Sequence, residues 1–395
     1  MEKNPKDAVI VAATRTAIAR ANKGSLINVR SDDFGAHVVR EVVKLTPKLD
    51  PREIEDLVVG CAMTDGEQGL NVARVIGILA GLPVEVPAAT FNRFCSSSLE
   101  AINFVAMRIM TEFIDVGIAA GIESMSHIPM GGLNPDKALN IPLLNDIQEG
   151  KQPNVYITMG QTAENVAVKY KISREDQDKF SYESHVKAVK AIKAGLFKKE
   201  IIGINAPQAD GTIKFFDTDE CPRENTSLEK LASLPPAFSD TGTVTAGNSS
   251  PLNDGAGAVM LMSREKAKSL GIEPLATIRA MAAVGVPPEL MGIGPIGAVR
   301  KVLSKAKLIL KDIGVIELNE AFASQSLAVI RELGIQAEKV NPKGGAIAIG
   351  HPLGATGARI MTTLVNEMAD NNVTFGIETM CVGGGMGVAT IVERG

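Results

Sequence analysis

Apolar residues follow two alternating rhythms along this chain. Short continuous apolar runs, DAVIVAA at 7–13 and LVVGCAM at 57–63, read as strands buried on both faces. Between and beyond them, apolar residues recur at helical spacing in DFGAHVVREVVKL at 33–45 and NVARVIGILAGL at 71–82, the second closed by a glycine stop. IDVGIAAGIES at 114–124 is a further apolar run of the strand type. This βα alternation predicts an α/β fold with largely parallel strands.

The rhythm breaks in the middle. From about Met125 to Ala237 the chain is polar and rich in lysine. SREDQDKFSYESHVKAVKAIKAGLF at 173–197 predicts a helix with Ser173 as N-cap and Glu175 and Asp176 in its first turn. Regular alternation returns with TVTAGNSSPLNDGAGAVMLMS at 243–263. Residues 125–240 therefore read as an insertion in a first half made of 1–124 and 241–272, followed by a second half at 273–395. A faint internal echo accompanies this division. FNRFCSSSLEAINFVAMRIM at 91–110 places a reactive side chain just before a long helix, and AIGHPLGATGARIMTTLVNEM at 348–368 does the same.

A chain of 395 residues is too long for one compact core and suggests two or three domains. Apolar residues make up 45% of it, enough for a large core. Lys and Arg number 41 against 45 Asp and Glu, so the net charge is −4, which argues against a general nucleic-acid binder. The four cysteines, Cys61, Cys95, Cys221 and Cys381, form no CxxC pair and read as free thiols in a reducing compartment. The start of the sequence resembles neither a signal peptide nor a transit peptide, the ending ERG is not a peroxisomal signal, and no apolar run approaches the roughly 20 residues of a membrane span. The expectation is a soluble cytoplasmic protein.

Four positions carry candidate chemistry. Cys95, in N-R-F-C-S-S-S-L-E, precedes an amphipathic run, and unpaired N–H groups at a helix start would lower its pKa; the alternative is a buried structural cysteine. Among four histidines, His37 and His185 lie in polar helical settings that predict solvation, and His127 lies in a loop. Only His351 is packed among glycines, in G-G-A-I-A-I-G-H-P-L-G-A-T-G-A-R, where it could serve a cysteine as base. Cys381 precedes three glycines whose N–H groups could form an oxyanion hole, or simply a tight turn. Asn319, in I-E-L-N-E-A-F-A-S-Q, reads on its own as a helix cap, though it could also hold a water or a carbonyl.

Taken together these segments resemble the thiolase family. N-R-F-C-S-S resembles the nucleophile motif of degradative 3-ketoacyl-CoA thiolases. A-G-I-E-S-M-S, M-G-Q-T-A-E-N-V-A, T-V-T-A-G-N-S-S, N-E-A-F-A, G-H-P-L-G-A-T-G-A-R and C-V-G-G-G-M-G follow in the family's order along the whole chain. The resemblance implies a five-layer α/β/α/β/α fold from two duplicated βαβαβαββ halves, with the insertion as a loop domain over a coenzyme A site. It implies Cys95 as acyl-carrying nucleophile, His351 as its base and Cys381 as a second acid/base. Asn319, through a water and with His351, would form one oxyanion hole, and the N–H groups of Cys95 and Gly383 the other. Arg223 would meet a nucleotide phosphate, Ala246 and Ser250 would line the pantetheine channel, and Met291 and Phe322 would flank the acyl group. A solvated loop arginine is the plain alternative for Arg223. Acyl-CoA and CoA would be substrates, with no metal, no permanently bound cofactor and no nucleic acid, and the chain would form a homodimer or homotetramer.

Two departures bear on subtype. Ser98 stands where the family usually has glycine, and its side chain is expected either to narrow the acyl pocket or to face the protein. Thr158 stands where short-chain biosynthetic members usually have histidine, and with C-S-S-S in place of C-G-S-G it leans towards the degradative type. A ketoacyl synthase on a similar fold is disfavoured by Cys381 with its glycines. A short-chain acetoacetyl-CoA thiolase and a non-catalytic CoA- or lipid-binding relative complete the alternatives.

Overall fold

The computed structural model describes residues 4–395 and consists of two halves that repeat one order of elements. The first half runs β1 (Ala8–Thr16), α1 (Ser31–Lys44), β2 (Asp56–Cys61), α2 (Val72–Ala80), β3 (Ala88–Phe91), α3 (Ser97–Met110) and β4 (Val116–Ser124). An excursion over 125–252, which includes α4 (Met159–Lys169) and α5 (Arg174–Lys193), precedes β5 (Asn253–Ser263). The second half runs β6 (Ala276–Gly285), α6 (Gly294–Ala306), β7 (Val315–Leu318), α7 (Ala323–Leu333), α8 (Thr356–Asp370), β8 (Phe375–Val382) and β9 (Met386–Arg394).

The strand orders coincide. β1-β5-β4-β2-β3 in the first half is matched by β6-β9-β8-β7 in the second, with the same parallel pairing of β2 to β4 and of β7 to β8. The fifth strand of the second half has shrunk to one parallel bridge, Ile316 to Val340, where β3 would sit. The two arrays meet at one edge. β1 and β6 pair antiparallel at Val9–Thr277 and Ile10–Ala276, which joins everything into one path.

Why the strands lack polar faces follows from the layering. Alternate residues of β1, β2, β4 and β5 (Val9, Leu57, Ile118, Met260) pack on Phe34 and Val38 of α1 and on Val72 and Ile76 of α2. Their neighbours (Ile10, Val58, Ala119, Leu261) face inward onto α3 and α8, which share one cluster with Met380 and Val388 of the second half. Ile316, Ile377 and Ile391 then cover α6 and α7. Both sheet faces are buried, so the strands read as continuous apolar runs. α2 ends at Gly81, whose φ of +82° suits glycine.

The excursion grows out of a simple substitution. Antiparallel neighbours β8 and β9 are joined by Gly383, Gly384 and Gly385 alone, whereas the equivalent β4 and β5 are joined by residues 125–252. The excursion is tied back firmly. Arg15 of β1, fully buried, pairs with Asp219 through two hydrogen bonds of 2.8 and 2.9 Å and with Glu200 at 2.9 Å. Ser184 of α5 donates to Glu320 at 2.7 Å, and Ile201–Ile202 adds a short parallel partner to β1.

Candidate active site

Cys95 lies in a single 3-10 turn, Phe94–Ser96, that leads into α3. The turn is built by its own side chains. Asn92 accepts the Phe94 N–H at 2.9 Å, and Phe94 takes a φ of +43°, an unusual angle for a bulky residue. Ser97 Oγ accepts the Arg93 N–H at 2.9 Å and donates to the Phe94 carbonyl at 2.6 Å, while Ser96 Oγ donates to the Arg93 carbonyl. The serines after the cysteine are thus spent on shaping the turn.

Ser98 takes the second course expected of it. Its hydroxyl is fully buried away from the cleft and accepts the Ala358 N–H of α8 at 2.9 Å. That N–H is one of the four that the helix cannot satisfy itself, so Ser98 caps α8 from another helix. It does not narrow the acyl pocket.

His351 sits in the loop before α8, held at both ends. Its N–H donates to Asn253 Oδ1 at 2.8 Å. Its Nδ1 lies 2.6 Å from Thr356 Oγ1, which donates to the Pro352 carbonyl at 2.9 Å. A hydroxyl whose proton is committed to a carbonyl can only accept, so Nδ1 carries the imidazole proton and Nε2 keeps its lone pair. Burial, aided by the Arg359 charge, pulls the His351 pKa down to about 3, so the ring is neutral at physiological pH.

Asn319 is not a helix cap. α7 begins at Ala323, and Asn319 is fully buried with Nδ2 3.4 Å from His351 Nε2. Its Oδ1 has no protein partner. An isolated N-E pair reads as a cap because capping is a local property, and the long-range partner His351 is invisible in sequence.

The cysteine electrostatics also depart from expectation. The nearby Gly383 N–H favours the Cys95 thiolate, but burial dominates and pushes the thiol up to about 11. Burial first, and then the nearness of Cys95, holds Cys381 well above the usual thiol range. The free site therefore holds two thiols and a neutral imidazole.

Cys95, His351, Ser250, Met291 and Phe322 line one cleft of about 360 Å³. Cys381 is fully buried behind it, in an apolar cluster with Met291, Ala321 and Phe322. Sequence reasoning missed Met125, Met130, Met159, Phe238 and Leu353 on the same walls, although Met159 opens the M-G-Q-T-A-E-N segment. Phe238 stands edge-on to Phe322 at 6.0 Å. Two expected residues lie elsewhere. Ala246 is exposed outside this lining, and Arg223 borders a second cleft with Tyr182, His185, Lys190 and Lys193. His185 is not solvated: it is buried, its Nδ1 accepts the Arg223 N–H at 3.2 Å, and burial lowers its pKa to about 4. His37 is half-buried and its Nε2 lies 3.0 Å from the Gly203 carbonyl. Both were misread because α1 and α5 look polar in sequence yet pack on neighbours that only the fold supplies.

A buried thiol and a neutral imidazole facing one apolar cleft between two α/β halves are a pair that cysteine nucleophile chemistry can use. The sequence matches the thiolase N-terminal domain over residues 8–265 and the thiolase C-terminal domain over residues 272–394. It is 51% identical over 400 residues to a 3-ketoacyl-CoA thiolase of Bacillus subtilis (strain 168), covering 98% of this chain and 99% of that one. It is 44% identical to one of Marinomonas sp. (strain MWYL1), covering all of both. Among solved structures, Bacillus anthracis acetyl-CoA acetyltransferase superposes with a TM-score of 0.89 at 39% identity, covering 98% of each chain. The dimeric peroxisomal thiolase of Saccharomyces cerevisiae gives 0.89 at 41%, covering 100% of this chain and 99% of that one. The chain belongs to the thiolase family.

Two outcomes follow from this geometry. Alkylation of Cys95 by iodoacetamide in the free protein should keep rising from pH 7 to 10, followed by mass spectrometry of the modified peptide. A plateau already reached below pH 8 would mean that the helix start outweighs burial after all. Ser98→Gly should leave the ratio of kcat/KM for long and short 3-ketoacyl-CoA substrates unchanged, while lowering stability by about 1–2 kcal/mol in urea unfolding, since a buried hydrogen bond is lost and glycine is added. A shift of the ratio towards long chains would restore the pocket reading.

Proposed function

We propose that the chain cleaves 3-ketoacyl-CoA with free CoA to acetyl-CoA and a shortened acyl-CoA, reversibly, through an acyl group carried on Cys95. The observation that carries this reading is that Cys95 and His351 line one apolar cleft, with the Gly383 N–H favouring the Cys95 thiolate. In the condensing direction, Cys95 Sγ attacks the thioester carbonyl while its proton passes to Nε2 of His351. A base that is neutral at working pH can accept it. The N–H groups of Cys95 and Gly383 stabilise the tetrahedral oxyanion, and CoA leaves as a thiol with the proton of Cys381, which is left as the thiolate. Asn319, with His351 and a water, then holds the enolate oxygen of the second acetyl group. The Cys381 thiolate takes a proton from the acetyl carbon, the enolate carbon attacks the acyl carbonyl on Cys95, and the Cys95 sulfur leaves and regains its proton from His351; thiolysis runs the same steps in reverse. A high thiol pKa makes that thiolate a strong base.

Arg223, beside Lys190 and Lys193, is the proposed partner of the CoA nucleotide phosphates. Ser250 and Ala246 would follow the pantetheine, Met291 and Phe322 would flank the acyl group, and residues 125–240 would form the loop domain over the bound CoA. Methionine-lined walls adapt to different shapes, which favours a range of acyl chains. The likeness to a protein called acetyl-CoA acetyltransferase supports a second reading, a preference for acetoacetyl-CoA. Comparing thiolysis rates across acyl chain lengths decides between them. No described helix is long and apolar enough to cross a membrane, and four unpaired thiols suit a reducing, cytoplasmic setting.

Assembly into a homodimer, or a dimer of dimers, completes the proposal. β3 has a neighbour on one side only, and the segments flanking it expose Leu70 (99%) and Phe94 (40%), with Asn71 tying the Leu70 segment to β3 through Ala88 and Thr90. An open strand edge beside exposed apolar residues is a surface that a second copy can cover.

The chemistry is tested by mass spectrometry after incubation with acetyl-CoA. Wild type and Cys381→Ala should carry an acetyl group on Cys95, Cys95→Ala should carry none, and only wild type should turn over. An adduct found solely on Cys381, Cys61 or Cys221 would overturn the assignment. For the assembly, sedimentation should show a species of twice the chain mass or more at micromolar concentration; a stable monomer there would sink it.

A further inference from the structure

We infer that Asn253 is a positioning residue for His351, the amide that fixes where the base stands over the cleft. This rests on the reading of His351 as the base. Asn253 opens β5 and is fully buried. Its Oδ1 accepts the His351 N–H at 2.8 Å. Its Nδ2 donates to the Ala19 carbonyl at 2.9 Å and to the Cys221 sulfur at 3.1 Å. The amide cannot be turned round, because the carbonyl of Ala19 only accepts and the N–H of His351 only donates. One side chain thus joins three segments: the strand Ala19–Arg20, the excursion at Cys221, and the loop before α8.

The loop is also pressed against this amide. Gly350 has a φ of +123°, and a Cβ there would lie 2.8 Å from Asn253 Cγ and 2.7 Å from Ile18. His351 is consequently held by its backbone through Asn253 and by its ring through Thr356, from opposite ends. Two fixed points leave Nε2 little freedom relative to Cys95 and Asn319. Asn253 lies outside the cleft walls and reaches the site through the His351 backbone. Its effect on acetylation is expected to pass through His351. A displacement of a catalytic group by about 1 Å can cost on the order of a hundredfold in rate.

The test uses the full chain with Asn253→Ala, Asn253→Asp, His351→Ala and the double variant Asn253→Ala/His351→Ala, and reads Cys95 acetylation by acetyl-CoA in quenched mass spectrometry beside kcat and KM. Asn253→Ala should slow acetylation and kcat by about ten- to a hundredfold, with KM changed by no more than about threefold. In the His351→Ala background the same substitution should change the acetylation rate by less than about twofold, because the group it positions is gone. Asn253→Asp preserves the shape. When protonated it can donate to Ala19 and still accept from His351, so its kcat relative to wild type should recover as pH falls. An undiminished kcat in Asn253→Ala, an equal further loss in the His351→Ala background, or an Asn253→Asp to wild-type ratio flat with pH would overturn the inference. If Asn253→Ala does not fold, the Asn253→Asp pH profile decides. Undiminished acetylation in His351→Ala itself would instead show that the base has been misassigned.

Discussion

The site depends on two helices from different halves meeting start to start in the middle layer. α3 and α8 approach so closely that a Cβ at Gly357 would lie 2.2 Å from the Leu99 nitrogen, and α3 rests so closely on β2 that one at Gly60 would lie 2.2 Å from the Ser98 nitrogen. Gly121 lies under Ser98 and Gly257 under Ala358 in the same way. Glycine at these four positions reflects close approach of backbone rather than unusual dihedrals. Once the helices are this close, the turn before one delivers Cys95 and the loop before the other delivers His351. On the proposed chemistry, both helices present their positive ends to the side where negative charge would develop during acyl transfer. Ser98 Oγ, bonded across the gap to Ala358, closes the contact.

Electrostatics of the free site are set by burial more than by those helix starts. Thiols pushed up and an imidazole pulled down leave an uncharged resting site, which costs less in an apolar enclosure than a thiolate–imidazolium pair. In the proposed reaction charge would appear only as bonds change, with the N–H groups of Cys95 and Gly383 as the proposed donors to it. Nearby, buried Glu123 accepts N–H groups from Ala62 and Gly354 at 2.9 and 2.8 Å, with Gln68 adding a third donor. It thereby fastens the strand end beside Cys95 to the loop that carries His351, so that the two halves cannot drift apart at the site.

Duplication explains the symmetry of the scaffold, and departures from duplication explain the asymmetry of the site. Equivalent helices α3 and α8 carry different reactive residues. Equivalent strand connections are a three-glycine turn on one side, which brings the Gly383 N–H near enough to favour the Cys95 thiolate, and the excursion 125–252 on the other. The excursion supplies Met125, Met130, Met159 and Phe238 to the cleft walls and carries Arg223 in a separate basic cleft.

By itself the sequence determined that strands alternate with helices, because burial of both sheet faces writes itself into continuous apolar runs and glycine stops; it did not determine strand direction, since the sheet expected to be largely parallel has five antiparallel pairings along its path against three parallel ones. It also marked Cys95, His351 and Cys381, through glycine-rich and serine-rich surroundings that local chain geometry demands, and the family resemblance through motifs in fixed order. The tertiary structure alone decided what those residues experience. Whether Cys95 is acidic or held as thiol depends on desolvation by segments hundreds of residues away. Whether Ser98 faces the cleft or α8, whether Asn319 caps a helix or meets His351, and whether His185 is wet or buried are likewise set by partners distant in sequence. Local pattern records the periodicity of a chain and the angles of its turns, whereas pKa values and side-chain partners are sums over everything packed nearby, and only the fold brings those neighbours together.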